Sequence, residues 1–196
     1  MTGRRAISVI GNIGSGKSTF LSRLKECGFP TTLEPVRDWK FLSKFYGDSK
    51  RWAFALQIEV MNSFMSTETT GFVERSAWES YEIFCKNAYN NGHLDEDEFE
   101  LLGKMATCVN DKPKIIIYLQ TTPSTCYARM KKRNRPCEKA VTIEYINKLH
   151  DLYEKCVSDI KKSDDTTVIT LNGELSEKEI VEDLWKVWQE KTHLNV

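Results

Sequence analysis

The 196-residue sequence lacks an excess of either charge, a long apolar run and any closely spaced pair of cysteines. Its 28 Lys and Arg residues balance 28 Asp and Glu residues, so no overall field draws the chain to nucleic acid or to a membrane surface. No apolar stretch approaches the ~20 residues that span a bilayer. We therefore expect a soluble protein with no nucleic-acid and no membrane partner, in which any site for a polyanion is local.

The cysteines and histidines show no metal-binding pattern. The six cysteines contain no CxxC pair, and the three histidines, His93, His150 and His193, are scattered. We therefore expect no zinc site and reduced thiols in a cytoplasmic compartment. Residues Met1 to Arg5 lead into a predicted strand within a few residues, which predicts the absence of a signal or transit peptide.

Short β-branched runs alternate with longer helical patterns, and no repeat, low-complexity tract or Pro/Gly-rich linker interrupts them. This alternation predicts an α/β fold with a five-stranded parallel sheet, helices on both faces and one domain over residues 1–196. Ligands of such sheets bind beyond the carboxyl ends of the strands. The predicted strands are residues 6–10, 31–33, 71–73, 115–119 and 168–171, and the predicted helices are 17–27, 38–68, 77–110, 123–134, 142–162 and 176–190.

A glycine-rich loop after the first strand is the strongest local signal. It fits GxxxxGK[ST] and lies between a predicted strand and a predicted helix, which predicts the P-loop NTPase fold. Glycines let backbone N–H groups approach phosphate oxygens, and the next helix adds its positive N-terminal end. Lys17 can reach the β- and γ-phosphates of ATP, and the Ser18 hydroxyl can ligate Mg²⁺. The predicted ATP-binding residues are Gly11, Asn12, Ile13, Gly14, Ser15, Gly16, Lys17, Ser18 and Thr19.

Acidic residues at two strand ends indicate which kind of P-loop protein this is. The chain lacks the DxxG and NKxD elements of a GTPase, and its most apolar strand ends before Gln120 instead of an acid, unlike a motor-type ATPase. Glu74 is followed at once by Arg75, which suits a small-molecule kinase with an acid near the metal and an Arg near the acceptor. Glu34 precedes Pro35 at the end of another strand, where a general base for an acceptor hydroxyl is needed.

A basic cluster after the fourth strand predicts a lid over about residues 129–138. Arg129 and Arg133 are four residues apart and share a helix face, and Pro136 ends the cluster. Such a lid would close on the triphosphate and stabilise charge on the transferring phosphoryl group. The predicted catalytic residues are Lys17, Glu34, Arg75, Arg129, Arg133 and Arg135, and the predicted metal ligands are Ser18 and Glu74.

Together these residues resemble the deoxyribonucleoside kinase family, which includes mitochondrial thymidine kinase, deoxycytidine kinase and the broad-specificity insect enzyme. The likeness covers about residues 5–160. Residues 34–39 resemble the family's EPVxxW motif, 74–76 its ERS motif, 129–135 its lid and 149–154 its LHxxxE motif. The short chain resembles a cytosolic form or a short viral thymidine kinase-like member more than an organelle-imported one.

The resemblance implies that a homodimer with Mg²⁺ and ATP phosphorylates the 5′-hydroxyl of a deoxyribonucleoside. It makes Glu34 the base that activates this hydroxyl, and it places the nucleobase between the aromatic faces of Trp39 and Phe84. Tyr46 and Glu154 are implied to grip the sugar 3′-hydroxyl. The implied substrate-binding residues are Glu34, Trp39, Tyr46, Gln57, Phe64, Arg75, Ser80, Phe84 and Glu154.

The residues expected around the nucleobase favour a pyrimidine. Gln57 offers one carbonyl and one amide, so it can pair with thymine or, flipped, with cytosine. Family members that prefer deoxycytidine or purines carry charged residues at the positions of Phe64 and Ser80, and a Phe also fills space that a purine needs. We therefore expect thymidine to be favoured. The chain departs from the family at Tyr81 and Lys131, where Arg is usual.

Two alternatives stay open at this stage. A thymidylate-type nucleoside monophosphate kinase would need a further phosphate-binding cation in the acceptor site, and Arg37 is a candidate. A regulatory module could bind ATP without turnover, although Glu34, Glu74 with Arg75 and a charged lid exceed what binding alone requires.

Overall fold

The computed structural model describes residues 6–67, 71–109, 112–163 and 165–192, so residues 1–5 and their predicted lack of a leader lie outside the described residues. Five strands form one parallel sheet in the order β2-β3-β1-β4-β5. This confirms the predicted P-loop NTPase architecture. The strands are β1 (Ile7–Ile10), β2 (Thr31–Thr32), β3 (Phe72–Glu74), β4 (Ile115–Gln120) and β5 (Thr167–Asn172).

Helices cover both faces of the sheet, as the sequence predicts. Among the described helices, none is long and apolar enough to cross a membrane. The helices are α1 (Lys17–Glu26), α2 (Leu42–Gly47), α3 (Ser49–Ser66), α4 (Ala77–Glu79), α5 (Lys86–Asn90), α6 (Glu96–Val109), α7 (Pro123–Arg133), α8 (Ile143–Lys161) and α9 (Glu177–Thr192), with a π-helical segment over Ser80–Cys85 and 3₁₀ turns over Val36–Asp38 and Pro136–Glu138.

The central strands are buried on both faces, which explains their continuous apolar sequences. Successive side chains point to opposite faces, so Ile117 packs with α1 and α9, whereas Ile116 packs with α8. Leu184 and Trp188 of α9 belong to the first of these cores, as predicted for that helix. Both helical layers fix the strand ends from which the functional side chains project.

The predicted helix over 38–68 is interrupted in the structure. A 3₁₀ turn precedes α2, and α2 ends at Gly47 before α3 begins at Ser49. Asp48 lies between them in an extended conformation, and its carboxylate accepts a hydrogen bond from the Arg51 N–H. The side-chain cap therefore starts a new helix where periodicity alone suggested a continuous one.

The predicted helix over 77–110 is also divided. It starts as α4, passes through the π-helical segment and ends with α5 at Asn90. Gly92 then takes a left-handed conformation with a φ of 69°, and Asp95 and Glu98 cap the start of α6 reciprocally. The left-handed glycine and the capping pair account for the break.

The buried stripe of α8 provides a test of the fold. Leu149 is fully enclosed on the sheet side, whereas Lys155 of the same helix is exposed. We expect Leu149→Ala to lower the free energy of unfolding by about 2–5 kcal/mol, because it removes buried atoms and leaves a cavity. The control Lys155→Ala should change it by less than about 0.5 kcal/mol. Urea unfolding measures both, and equal effects would contradict the assigned packing.

Candidate active site

A cavity of about 640 Å³ lies beyond the carboxyl ends of β1, β2 and β3. The phosphate loop borders one side of it and the lid another, while α2, α3 and the π-helical segment supply the remaining walls. Of the residues predicted from the sequence, those that border the cavity are Ile13, Gly14, Gly16, Lys17, Ser18, Thr19, Glu34, Trp39, Tyr46, Gln57, Glu74, Arg75, Ser80, Phe84, Arg129, Arg133 and Arg135.

The phosphate loop has a backbone that few residues other than glycine can adopt. Gly14 has a φ of 82°, and a Cβ at this position would lie 2.2 Å from the carbonyl oxygen of Cys126. The Lys17 ammonium donates to the carbonyl oxygens of Gly11 at 2.8 Å and Asn12 at 3.0 Å. This lysine is therefore held over the loop, where a terminal phosphate would meet it.

Two side chains with oxygen atoms that could ligate a metal, Ser18 and Glu74, meet beside the loop. The Ser18 hydroxyl donates to Glu74 Oε1 at 2.7 Å, and the backbone N–H of Glu34 lies 3.4 Å from the other Glu74 oxygen. A hydroxyl and a carboxylate fit the preference of Mg²⁺ for oxygen ligands, with water and phosphates completing its shell. In the described ranges no cluster of three or more His, Cys, Asp or Glu side chains could hold a metal unaided.

A buried ion pair joins the ends of β2 and β3. Arg75 Nη1 lies 3.0 Å from Glu34 Oε1, and the two side chains are only 8% and 4% exposed. Burial, opposed by Arg75 and assisted by Glu74, raises the pKa of the Glu34 carboxyl to about 7. Although burial disfavours the charged guanidinium, the Glu34 carboxylate raises the pKa of Arg75 above its usual value. Both groups border the cavity and face its open space.

The backbone of Arg75 is itself unusual. It has a φ of 64°, a left-handed conformation that a long side chain rarely adopts. Its guanidinium lies 4.0 Å from the centroid of the Phe84 ring, over the ring face. The surrounding contacts therefore fix this arginine in place at some cost in backbone strain.

An aromatic and amide-lined region continues from Arg75 into the protein. Trp39, Phe84 and Gln57 border it, and Gln57 is only 4% exposed. The Cys85 thiol, which burial keeps neutral by raising its pKa, lies 3.4 Å from the Gln57 carbonyl oxygen and donates to it. Ser80 also borders the region. A flat ring with hydrogen-bonding edges fits this combination.

Tyr46 lies near a second tyrosine and an acid at the lid end of the cavity. Its ring meets Tyr145 edge-on, with centroids 6.2 Å apart. Burial, reinforced by Tyr145 and the Glu138 carboxylate, raises the pKa of the Tyr46 hydroxyl. Tyr145 and Glu138 also border the cavity. These three polar groups can together bind a hydroxyl of a small ligand.

The lid arginines form hydrogen bonds and ion pairs with other groups of the protein. Arg133 donates two hydrogen bonds to the Glu138 carboxylate at 2.8 and 2.9 Å, and Arg135 lies 3.4 Å from the same group. Arg129 instead donates to the carbonyl oxygen of Gly173 at 2.7 Å. The helical part of the lid ends at Arg133, where Asn134 takes a left-handed conformation. The three lid arginines that border the cavity are therefore held by two different partners, the Glu138 carboxylate and the Gly173 carbonyl oxygen.

Two predicted substrate residues do not reach the cavity. Phe64 packs in the core around α3 and α6, since it lies seven residues, about 10 Å of helix, beyond Gln57. Glu154 lies nine residues, about two and a half turns, beyond Tyr145 on α8 and accepts hydrogen bonds from Tyr118 and Gln120 of β4. Position along each helix, which motif spacing does not encode, separates both residues from the cavity.

The residues that border the cavity differ from the predicted set at several further positions. Gly11, Asn12 and Ser15 belong to the phosphate loop but shape its backbone and do not border the cavity. Glu138 lay within the predicted lid. It is an acidic residue close in sequence to several Arg and Lys residues, and this contrast is the sequence signal that could have indicated a functional role. The residues that border the cavity but were not among the predicted site residues are Val36, Leu42, Phe45, Leu56, Val60, Tyr145 and Glu177, together with Lys132 and Glu138 of the predicted lid.

The chain is similar to several known proteins. The family model for deoxynucleoside kinases matches residues 7–193. A probable deoxycytidine kinase of Fowlpox virus is 31% identical over 186 residues, covering 87% of this chain and 79% of the viral protein. Mitochondrial thymidine kinase 2 of Homo sapiens is 32% identical over 169 residues, 78% of this chain and 64% of the human one. A solved deoxyadenosine kinase of M. mycoides, with dCMP and dCDP bound, has the same fold with a TM-score of 0.82, at 24% identity over 94% of this chain and 98% of its own.

The phosphate loop yields a prediction about nucleotide binding. Gly14→Ala forces a Cβ against the Cys126 carbonyl and strains a left-handed backbone, so the loop must shift. We expect ATP affinity to fall by about 10-fold or more, since the backbone N–H groups lose their aim at the phosphates. In the control Gly47→Ala, the new Cβ meets nothing within 4 Å. Calorimetric titration with ATP measures both variants, and unchanged affinity in Gly14→Ala would contradict the assignment.

Proposed function

Because the chain belongs to the deoxynucleoside kinase family, we propose that it transfers the γ-phosphoryl group of ATP to the 5′-hydroxyl of a deoxyribonucleoside. We also propose that it prefers pyrimidine nucleosides and, among them, thymidine. The observation that carries this proposal is the buried Glu34–Arg75 pair, which faces the cavity beside the phosphate loop. A carboxylate and a guanidinium at this point can respectively orient an acceptor hydroxyl and stabilise charge on the transferred group.

The proposed reaction uses the two ends of the cavity. ATP lies in the phosphate loop with its γ-phosphate near Lys17, and the nucleoside lies between Trp39 and Phe84. Glu34 accepts a hydrogen bond from the 5′-hydroxyl and takes its proton as the oxygen approaches phosphorus in line. Phosphoryl transfer has a loose transition state, so Glu34 contributes by orienting the hydroxyl as well as by removing the proton.

Mg²⁺ fits the donor set formed by Ser18 and Glu74, which we propose as its protein ligands. When bound, the ion would neutralise charge on the β- and γ-phosphates. The same Glu74 carboxylate also receives the Glu34 backbone N–H, so the metal end and the acceptor end of the site share one anchor.

We propose that the lid and the sugar site act together. Tyr46 and Glu138 lie where they can bind the sugar 3′-hydroxyl, so Glu138 takes the role that sequence resemblance gave to Glu154. Arg133 and Arg135 are the cations that would turn from Glu138 toward the phosphates when both substrates are bound. Such cationic stabilisation can contribute about 10³–10⁵ in rate.

The proposed base preference rests on Gln57 and Ser80. Gln57 presents one acceptor and one donor to the cavity, which matches the edge of thymine or cytosine. Ser80 is uncharged, and Phe64 carries no part of this proposal because it does not border the cavity. The relatives include a probable deoxycytidine kinase and a thymidine kinase, so membership of the family does not itself fix the base.

Glu34→Gln tests the acceptor end of the site. It keeps the size of the side chain and removes its capacity to take a proton. We expect kcat to fall by about 10²-fold or more while ATP affinity stays nearly unchanged. Glu26→Gln, at an exposed acid paired with Arg23, is the control and should keep the wild-type rate. ADP release with thymidine provides the assay, and wild-type turnover in Glu34→Gln would remove this residue from its role.

Gln57→Ala tests how the base is read. Loss of the buried amide leaves the nucleobase edge without its partner, so we expect the deoxynucleoside KM to rise by about 10-fold or more. Gln120→Ala is the matched control, since Gln120 bonds to Glu154 outside the cavity. Kinetics with the four deoxynucleosides measure KM and the order of preference. An unchanged KM would overturn the base-reading role, and a purine as best substrate would overturn the pyrimidine preference.

A thymidylate-type kinase is the alternative function. It requires a cation for the acceptor's phosphate, and its candidate Arg37 is exposed and does not border the cavity. This placement favours an uncharged nucleoside as acceptor. Supplying thymidine and thymidylate in separate assays distinguishes the two, because only the accepted substrate releases ADP.

We also propose that the enzyme is a cytoplasmic homodimer. Met65 on α3 and Leu101 on α6 are about half exposed, and these two helices pack against each other beside the cavity. All six cysteines are free thiols, which suits a reducing compartment. Light scattering at several protein concentrations tests the dimer, and a monomeric mass throughout would contradict it.

A further inference from the structure

We propose that Glu79 is a positioning residue for the transfer: its buried carboxylate is a second, permanent counter-ion that keeps Arg75 at the cavity while Glu34 engages the acceptor hydroxyl. This inference rests on the proposed function, in which Glu34 and Arg75 meet the reacting groups. Glu79 itself does not border the cavity, so it acts on the substrate only through Arg75.

Glu79 is more deeply enclosed than either member of the catalytic pair. It ends α4, one turn after Arg75, and its side chain is 0% exposed. The Tyr153 hydroxyl, from α8, donates to Glu79 Oε1 at 2.5 Å. Burial raises the pKa of the Glu79 carboxyl, and Arg75, Lys17, the Tyr153 hydroxyl and the backbone N–H of Gly11 oppose this by favouring the charged form. A carboxylate buried to this degree requires a cationic partner, and Arg75 lies beside it.

The two acids approach Arg75 at different atoms. Glu34 Oε1 lies 3.0 Å from Nη1, whereas Glu79 Oε1 lies 3.9 Å from Nε. Nε is buried and has no hydrogen-bond partner among the residues that the structure describes. A movement of about 1 Å would bring it within hydrogen-bond distance of Glu79. Glu34 can therefore release Nη1 without depriving the guanidinium of its second partner.

A second partner is needed because Glu34 has two competing tasks. When Glu34 binds and deprotonates the hydroxyl, its attraction for Arg75 weakens. Removing one member of a buried ion pair leaves an uncompensated charge, which is strongly unfavourable. The Phe84 ring supports the guanidinium from one face but carries no net charge. Glu79 supplies the charge that remains in place through the reaction.

Glu79→Gln removes this charge and keeps the side-chain volume. We expect kcat to fall by about 10-fold or more, with ATP affinity and the deoxynucleoside KM within about threefold of wild type, because only Arg75 in the transition state is affected. Glu82→Gln is the control: Glu82 follows on the π-helical segment but pairs with Lys86 at the surface, so wild-type kinetics are expected. Wild-type kcat in Glu79→Gln, or a higher KM at unchanged kcat, would overturn the proposal.

A second readout does not depend on turnover and separates this proposal from the proposed function. In the complex with a deoxynucleoside and ADP, where Glu34 engages the hydroxyl, the Arg75 Nε–H signal in ¹⁵N NMR should be resolved and slow to exchange, and it should lose this protection in Glu79→Gln but not in Glu82→Gln. An unchanged signal would overturn the proposal even in an active enzyme.

Glu79→Asp retains the negative charge, so its kcat should exceed that of Glu79→Gln. If Glu79→Gln fails to fold, Glu79→Asp should still have measurable activity. A larger loss of kcat than in Glu79→Gln, or no activity in a folded Glu79→Asp protein, would contradict the proposal. Wild-type failure to phosphorylate any deoxynucleoside would instead refute the proposed function.

Discussion

The structure of the site depends on the buried ion pair between Glu34 and Arg75. Each charge alone would be costly to enclose, and the pair joins the ends of β2 and β3. The pair also explains why Arg75 tolerates a left-handed backbone, since Phe84 and the acids around it fix its position. A buried charged pair interacts more strongly with a reacting group than it would in water.

Chemistry at the two ends of the cavity is coupled through short contacts. Glu74 contacts both Ser18, in the phosphate loop, and the backbone of Glu34. Glu138 contacts the lid arginines and lies near Tyr46, so the proposed sugar site and the lid share one carboxylate. A sugar hydroxyl bound there as proposed would compete with the lid arginines for this carboxylate.

The sequence predicts the sheet, the phosphate loop and most of the cavity, because each depends on local patterns. The strand–helix alternation and the loop from Gly11 to Thr19 encode their own geometry. Phe64 and Glu154 were assigned to the substrate by motif spacing, yet each lies too far along its helix. Glu138 lay within the predicted lid but was not assigned to the substrate, because its position near Tyr46 depends on the tertiary fold. The division of the two long helices depends on a cap at Asp48 and a left-handed Gly92.

A crystal structure of the protein with a deoxynucleoside and ADP tests the central claim most directly. The measured quantity is the distance from the nucleoside's 5′ oxygen to the nearest carboxylate oxygen. We expect Glu34 to lie within hydrogen-bond distance, about 2.6–3.2 Å, with Arg75 still beside it. A Glu34 side chain turned away from the sugar, with another group touching that oxygen, would contradict the account.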